Sequence, residues 1–194
     1  IGEPLSEQSA LKKLKEIAKK NVVVKSMIGQ GYYSGYMPNV IKRNVFENPG
    51  WYTSYTPYQA EISQGRLEAL INFQTMVADL TNLDIANASL LDEPTAAAEA
   101  MTLAHRSSKS KSDTFLVDKN CFPQTVSIVK ARAKPLGINV EVVDLKEFNE
   151  SEAFGALFQY PGNDGSVEIS TELLAPLKDK GIITIAATDL LALT

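Results

Sequence analysis

Two aromatic stretches rich in glycine and proline carry the residues best suited to chemistry: Gly29-Gln-Gly-Tyr-Tyr-Ser-Gly-Tyr36 and Asn48-Pro-Gly-Trp-Tyr-Thr-Ser-Tyr-Thr-Pro-Tyr-Gln-Ala-Glu61. They hold the only tryptophan and six of the seven tyrosines: Tyr32, Tyr33, Tyr36, Tyr52, Tyr55 and Tyr58. Glycine and proline at this density predict loops, so these tyrosines are expected off the strands. A phenol joins a stiff apolar body to one polar tip, which suits the rim of a ligand pocket or an anchor at a subunit interface. Both readings stay open. Pro57 fixes its own φ between two tyrosines, so the segment can present Tyr55, Tyr58 and Glu61 at little ordering cost. Glu61 stands just before a predicted helix and is the best acid/base candidate, placed to orient groups or accept a proton. A plain helix-terminal carboxylate is the blander alternative.

Other chemistries have fewer supports. With one histidine and one cysteine, any Ser-His-Asp or Cys-His arrangement must run through His105, which reads as a packed or helix-end residue. Cys121 cannot form an internal disulfide and reads as a quiet thiol in a strand-to-helix turn. So few soft ligands argue against a structural metal. Gly29-Gln30-Gly31 is not a dinucleotide fingerprint, because the third glycine is misplaced and no acidic residue follows a second strand at the right distance. A phosphate cup before the alanine-rich segment is also disfavoured, since Pro94 removes a backbone donor there. The run Arg106-Ser-Ser-Lys-Ser-Lys111 complements a helix C-terminus. A formal net charge of −4 offers no broad attraction to nucleic acid or anionic lipid. No run approaches the roughly 18 apolar residues of a membrane helix. The first residues, Ile1-Gly2-Glu3-Pro4, lack the basic and apolar regions of a signal peptide and lack an initiating Met. These features lead us to expect a soluble chain from a reducing compartment, excerpted from or processed out of something longer.

The elements that must position these residues follow from length and periodicity. The 194 residues fit one domain or one domain plus an appendage, with 44% hydrophobic and 22% charged residues, as in ordinary globular chains. Composition divides the chain near residue 84. Residues 1–83 read as a helical arm and aromatic loop leading into a long helix, and 84–194 as an incomplete α/β domain. Ser6 is a natural N-cap for a helix to about Lys20, with Leu11, Leu14 and Ile17 on a docking face and the lysines mostly off it. A second helix is expected over Ser63–Leu80, burying Leu67, Leu70, Ile71, Phe73, Val77 and Leu80. Asp92-Glu93-Pro94 opens a helix to about His105. Another starts near Pro123, turns Val126, Val129 and Ala133 inward and ends at Gly137. Strands are expected at 114–117, 138–143, 156–160 and 182–187, giving a mainly parallel sheet covered on both faces. The segment between Thr171 and Lys180 is also expected to be helical, although Pro176 would break a long helix.

The stretch from Asn48 to Leu70 closely resembles the glycine decarboxylase P-protein family of the glycine cleavage system. So do Ile28-Gly-Gln-Gly-Tyr-Tyr33, Ile85-Ala-Asn-Ala-Ser-Leu-Leu-Asp-Glu93 with Thr95-Ala-Ala-Ala-Glu-Ala-Met101, and Phe158-Gln-Tyr-Pro-Gly162. The resemblance runs end to end and covers part of that family's amino-terminal half. It implies a truncated aspartate-aminotransferase-like large domain preceded by the helical arm and aromatic loop. It implies a parent that releases CO₂ from glycine on pyridoxal phosphate, an electron sink for the resulting carbanion, and passes the aminomethyl group to a lipoyl-carrier (H) protein. Family members carry the cofactor lysine in a second, similar half, so this chain is expected to contain no such lysine and to be inactive alone. Tyr55, Thr56, Tyr58, Gln59 and Glu61 then look like the non-cofactor wall of the shared site. The implied parent is a dimer in the bacterial cytoplasm, or alternatively the mitochondrial matrix. The rival reading is a truncated pseudo-half serving as a non-catalytic interaction module. Two residues depart from the pattern: Phe122 stands where many members have histidine before Pro-Gln-Thr, and Pro94 where they usually have alanine or glycine.

Overall fold

The computed structural model describes residues 2–54, 56–167, 169 and 171–193. Four strands, β1 (Thr114–Asp118), β2 (Asn139–Val143), β3 (Gly155–Tyr160) and β4 (Ile183–Thr188), form one parallel sheet in the order β2-β1-β3-β4. The main helices are α1 (Glu7–Ala18), α2 (Gln64–Thr81), α3 (Glu93–Ser107), α4 (Pro123–Ala133) and α5 (Thr171–Asp179). Helix α4 joins β1 to β2, a 3₁₀ run Leu145–Glu150 joins β2 to β3, and α5 joins β3 to β4.

The sheet is buried on both faces because its central strands have no polar face to offer water. Consecutive residues of β1 point to opposite sides. Phe115 and Val117 join Met101, Val129, Phe154 and Leu157 in a core under α3 and α4, whereas Leu116 joins Phe148, Ala156, Leu177 and Ile182 under α5 and the 3₁₀ run. Val129 and Ala133 are buried as the helical spacing predicts, and Val126 packs against the same core.

Caps set the helix starts. Ser6 Oγ accepts from the Ser9 N–H at 3.3 Å and Asp92 Oδ1 from the Thr95 N–H at 2.9 Å. Pro94 and Pro123 occupy first-turn positions, where no intrahelical donor is lost. After α4 a 3₁₀ turn ends on Gly137, at φ 72°. Pro176 does not interrupt α5, which runs through it for nine residues. In so short a helix its missing N–H removes one bond, to the Glu172 carbonyl of the first turn.

Gly155 shows how tightly the sheet is closed. A Cβ there would lie 3.1 Å from Phe115 Cε2 and 3.3 Å from both Ala104 Cβ and the Ile183 carbonyl oxygen. Gly155→Ala should therefore cost about 1 kcal/mol, the low end of overpacking penalties. The check is a lower denaturant midpoint at unchanged slope.

The elements before α3 depart from expectation. No residue of α1 or α2 is buried. Leu11, Leu14 and Ile17 of α1 are more than half exposed, and so are Ile71 and Leu80 of α2. Helical periodicity marks a face that wants cover without supplying the cover, and here both faces of the sheet are already occupied by other segments. Helix α2 touches the 3₁₀ turn Leu190–Leu193, and Gln74 Nε2 donates to the Ala86 carbonyl at 2.7 Å. Tyr52 is not in a loop, because Pro49–Tyr52 forms a short helix capped by Asn48, whose Oδ1 accepts from the Gly50 N–H at 2.9 Å.

Candidate functional site

The aromatic segment is a chain of turns at the surface. Tyr55 lies outside the described residues. The Thr56 carbonyl accepts from the Tyr58 N–H at 2.8 Å, and the Gln59 carbonyl from the Ile62 N–H at 3.3 Å. Glu61 sits in the 3₁₀ turn Ala60–Ile62, directly before α2. Thr56, Tyr58, Gln59 and Glu61 are all exposed. Arg66 Nη1 donates to Ser54 Oγ, which itself donates to the Trp51 carbonyl at 2.6 Å, so the segment is tied to the first turn of α2. The four described candidates thus share one short surface segment, and none of them lines the crevice at the carboxyl ends of the strands.

A crevice of about 230 Å³ lies elsewhere, at the carboxyl ends of the strands. That is where open parallel sheets take ligands. Its walls come from distant segments: Phe122 after β1, Gln159 and Pro161 at the end of β3, Thr188 and Asp189 at the end of β4, and Glu93 at the start of α3. Gly31 and Tyr33 close it from the amino-terminal arm.

The arm is held there by backbone geometry. Gly29, Gln30 and Gly31 have φ of 68°, 56° and 86°, in a turn closed by the Tyr32 N–H donating to the Gly29 carbonyl at 3.0 Å. Gln124 Nε2 donates to the Gln30 carbonyl at 2.9 Å, anchoring the turn to α4. A Cβ on Gly31 would lie 3.1 Å from Phe122 Cε2 and 3.2 Å from Glu93 Oε2. Positive φ and close approach together require glycine here.

Electrostatics in the crevice favour acceptors. Partial burial pushes the Glu93 carboxyl above its ordinary range; a hydrogen bond from the Gln159 side chain opposes this and the Asp189 charge adds to it. Gln159 is only 4% exposed, its Nε2 donates to the Ala187 carbonyl at 2.9 Å, and its Oε1 has no hydrogen-bond partner. Burial also raises the Asp118 carboxyl, with the Asn120 and Leu145 N–H groups opposing. Burial, reinforced by the Asp118 charge, pushes the neighbouring Cys121 thiol up to about 12. A thiol so high is almost wholly protonated at neutral pH and a poor nucleophile, as its reading as a quiet thiol expects. His105 is a packed helix-end residue: its ring meets Phe154 edge-on at 4.8 Å and its Nε2 lies 3.7 Å from Asp113 Oδ1.

Sequence reasoning singled out Phe122 as a departure from a pattern and weighed the α3 start only as a disfavoured phosphate cup, and did not bring Glu93, Gln159 and Asp189 together. The available signal was positional, since Phe122, Pro161 and Asp189 each follow a predicted strand where parallel sheets open their crevice.

Comparisons with known proteins agree along the whole chain. The family model described as glycine cleavage system P-protein matches residues 1–194. A glycine dehydrogenase (decarboxylating) of Dechloromonas aromatica is 60% identical over 190 residues, covering 98% of this chain and 20% of that protein. The protein of the same name from Rhizobium etli is 57% identical over 194 residues, covering 100% of this chain and 20% of the relative. The chain therefore spans about one fifth of the length of these curated relatives. A crystal structure of glycine decarboxylase (P-protein) in inhibitor-bound form matches with a TM-score of 0.84 at 30% identity, covering 100% of this chain and 45% of that one. The parallel α/β architecture is thus shared with that protein, and with every residue matched by the family model the chain belongs to the glycine cleavage system P-protein family.

Proposed function

We propose that the full-length protein containing this chain decarboxylates glycine as the P-protein of a glycine cleavage system, working with a lipoyl-carrier protein in the bacterial cytoplasm, and as a dimer. The observation that carries this reading is identity of 56–60% along the whole chain to glycine dehydrogenases (decarboxylating). The implied cofactor, pyridoxal phosphate, does not fit the crevice of this chain. A phosphate would meet the carboxylates of Glu93 and Asp189, and neither lysine nor arginine is among the lining residues. At the start of α3, Pro94 lacks the N–H that an anion needs. The cofactor and its lysine therefore belong, on this reading, to a second half outside these residues.

The contribution assigned to this chain is the wall facing that cofactor. Tyr55 and Tyr58 supply phenols that orient substrate, Glu61 supplies a carboxylate that accepts or holds a proton, and Thr56 and Gln59 supply shorter polar contacts. The surface position of the segment fits a wall completed by another part of the protein. The test is glycine–bicarbonate exchange by the purified full-length protein with added pyridoxal phosphate. Exchange that rises with added lipoyl-carrier protein is expected. A cofactor-loaded protein without exchange would leave the non-catalytic interaction module as the better reading.

A further inference from the structure

We propose that Gln124 is a positioning residue for the aromatic segment, fastening the amino-terminal arm to the carboxyl edge of the sheet through the Gln30 carbonyl. This role rests on the decarboxylase reading of that segment and adds a residue that acts on it from outside. Core packing does not hold the arm in place, since among the described residues from 2 to 62 none is buried. Gly29 and Gln30 are half-buried, and they form the turn that meets the sheet edge.

Gln30 marks the point of attachment. Its φ of 56° is left-handed, a region that glycine enters freely and asparagine tolerates but that is unfavourable for a longer side chain. Asn82, the other non-glycine residue with positive φ among those described, is of the tolerant kind. Strained backbone persists only where its surroundings over-determine it, and such positions cluster at functional sites. Two contacts constrain Gln30. Gln124 Nε2 donates to its carbonyl at 2.9 Å across 94 positions of sequence, and the adjoining Gly31 is pressed against Phe122, the residue before α4. Gln124 is half-buried in the first turn of α4, whose Val129 and Ala133 lie in the core, so a rigid element carries the donor. From this anchor the chain runs through residues 32–63, the aromatic segment among them, into α2, which rests on Leu190–Leu193. Those residues follow Asp189, another wall of the crevice. The aromatic segment is thus suspended between two attachments at one edge of the sheet. A wall that orients reacting groups needs its position fixed to about 0.5 Å, so losing the first attachment should cost turnover without disturbing the core.

The test compares the full-length protein with Gln124→Met, which keeps the side-chain length and removes the donor. Amide hydrogen exchange over residues 29–62 is expected to quicken at least tenfold, while β1 and β3 keep their protection. Glycine–bicarbonate exchange is expected to fall at least fivefold in the parental background but less than twofold when Tyr58→Phe is already present. A residue acting through the segment has little further effect once the segment is impaired, whereas an independent structural loss would be the same in both backgrounds. Should Gln124→Met not fold, Gln124→Glu carries the comparison, because it keeps the shape and sets an oxygen against the carbonyl, with circular dichroism as the folding control. Unchanged amide exchange, or equal losses in the two backgrounds, would overturn the proposal while leaving the decarboxylase reading intact. A cofactor-loaded parental protein without glycine–bicarbonate exchange would instead overturn that reading, and the positioning role with it.

Discussion

In the full-length protein, Tyr55→Phe, Tyr58→Phe and Glu61→Gln should each lower glycine–bicarbonate exchange by about tenfold or more, the scale of a lost proton-transfer or positioning group. Stability should change by no more than about 0.5 kcal/mol, the usual range for surface substitutions. For the two described residues the separation of these effects follows from their setting. Tyr58 is 80% exposed and Glu61 is exposed in a 3₁₀ turn, so neither supports the core that α3, α4 and α5 build on the sheet. Removing one hydroxyl or one charge there opens no cavity. Trp51→Ala is the contrasting variant. If the three substitutions keep parental exchange rates while Trp51→Ala dissociates the oligomer, the segment is a subunit interface and not a catalytic wall.

Phe154→Ala should destabilise the fold by about 3–5 kcal/mol, as large aromatic truncations in cores do. A domain's whole stability is about 5–15 kcal/mol, so the variant should lie near the edge of folding at 37 °C. Phe154 is wholly buried just before β3, stacks on Phe115 with ring centroids 5.4 Å apart, and receives the His105 ring edge. Its backbone also joins three strands: its N–H donates to the Thr114 carbonyl at 3.0 Å, and its carbonyl accepts from the Ile183 N–H at 3.2 Å. A methyl group cannot fill the space between Phe115 and His105, and the rigid sheet limits collapse around it. Phe154→Leu, which retains most of the volume, should recover more than half of the loss. A midpoint shift worth less than about 1 kcal/mol for the alanine variant would show that this packing is not the main support of the sheet.

Local rules suffice for much of the α/β region. Ser6 and Asp92 cap helices because a side-chain oxygen three residues away meets a free N–H, and that geometry needs no distant partner. The apolar runs of β1 and β3 can only be strands buried on both faces, so a covered parallel sheet follows from their composition. The long, specific motifs around Asn48–Leu70 likewise carry the family without any coordinates. Tertiary structure decided what periodicity leaves open. The apolar faces of α1 and α2 are visible in the sequence, yet which surface covers them depends on which segments occupy the sheet first. The crevice depends on topology still more. Gly31, Glu93, Phe122, Gln159 and Asp189 are scattered over most of the chain, and no spacing rule relates them. They meet because parallel strands deliver their carboxyl ends to one edge of the sheet. A left-handed glycine turn then brings the arm within van der Waals distance of that edge.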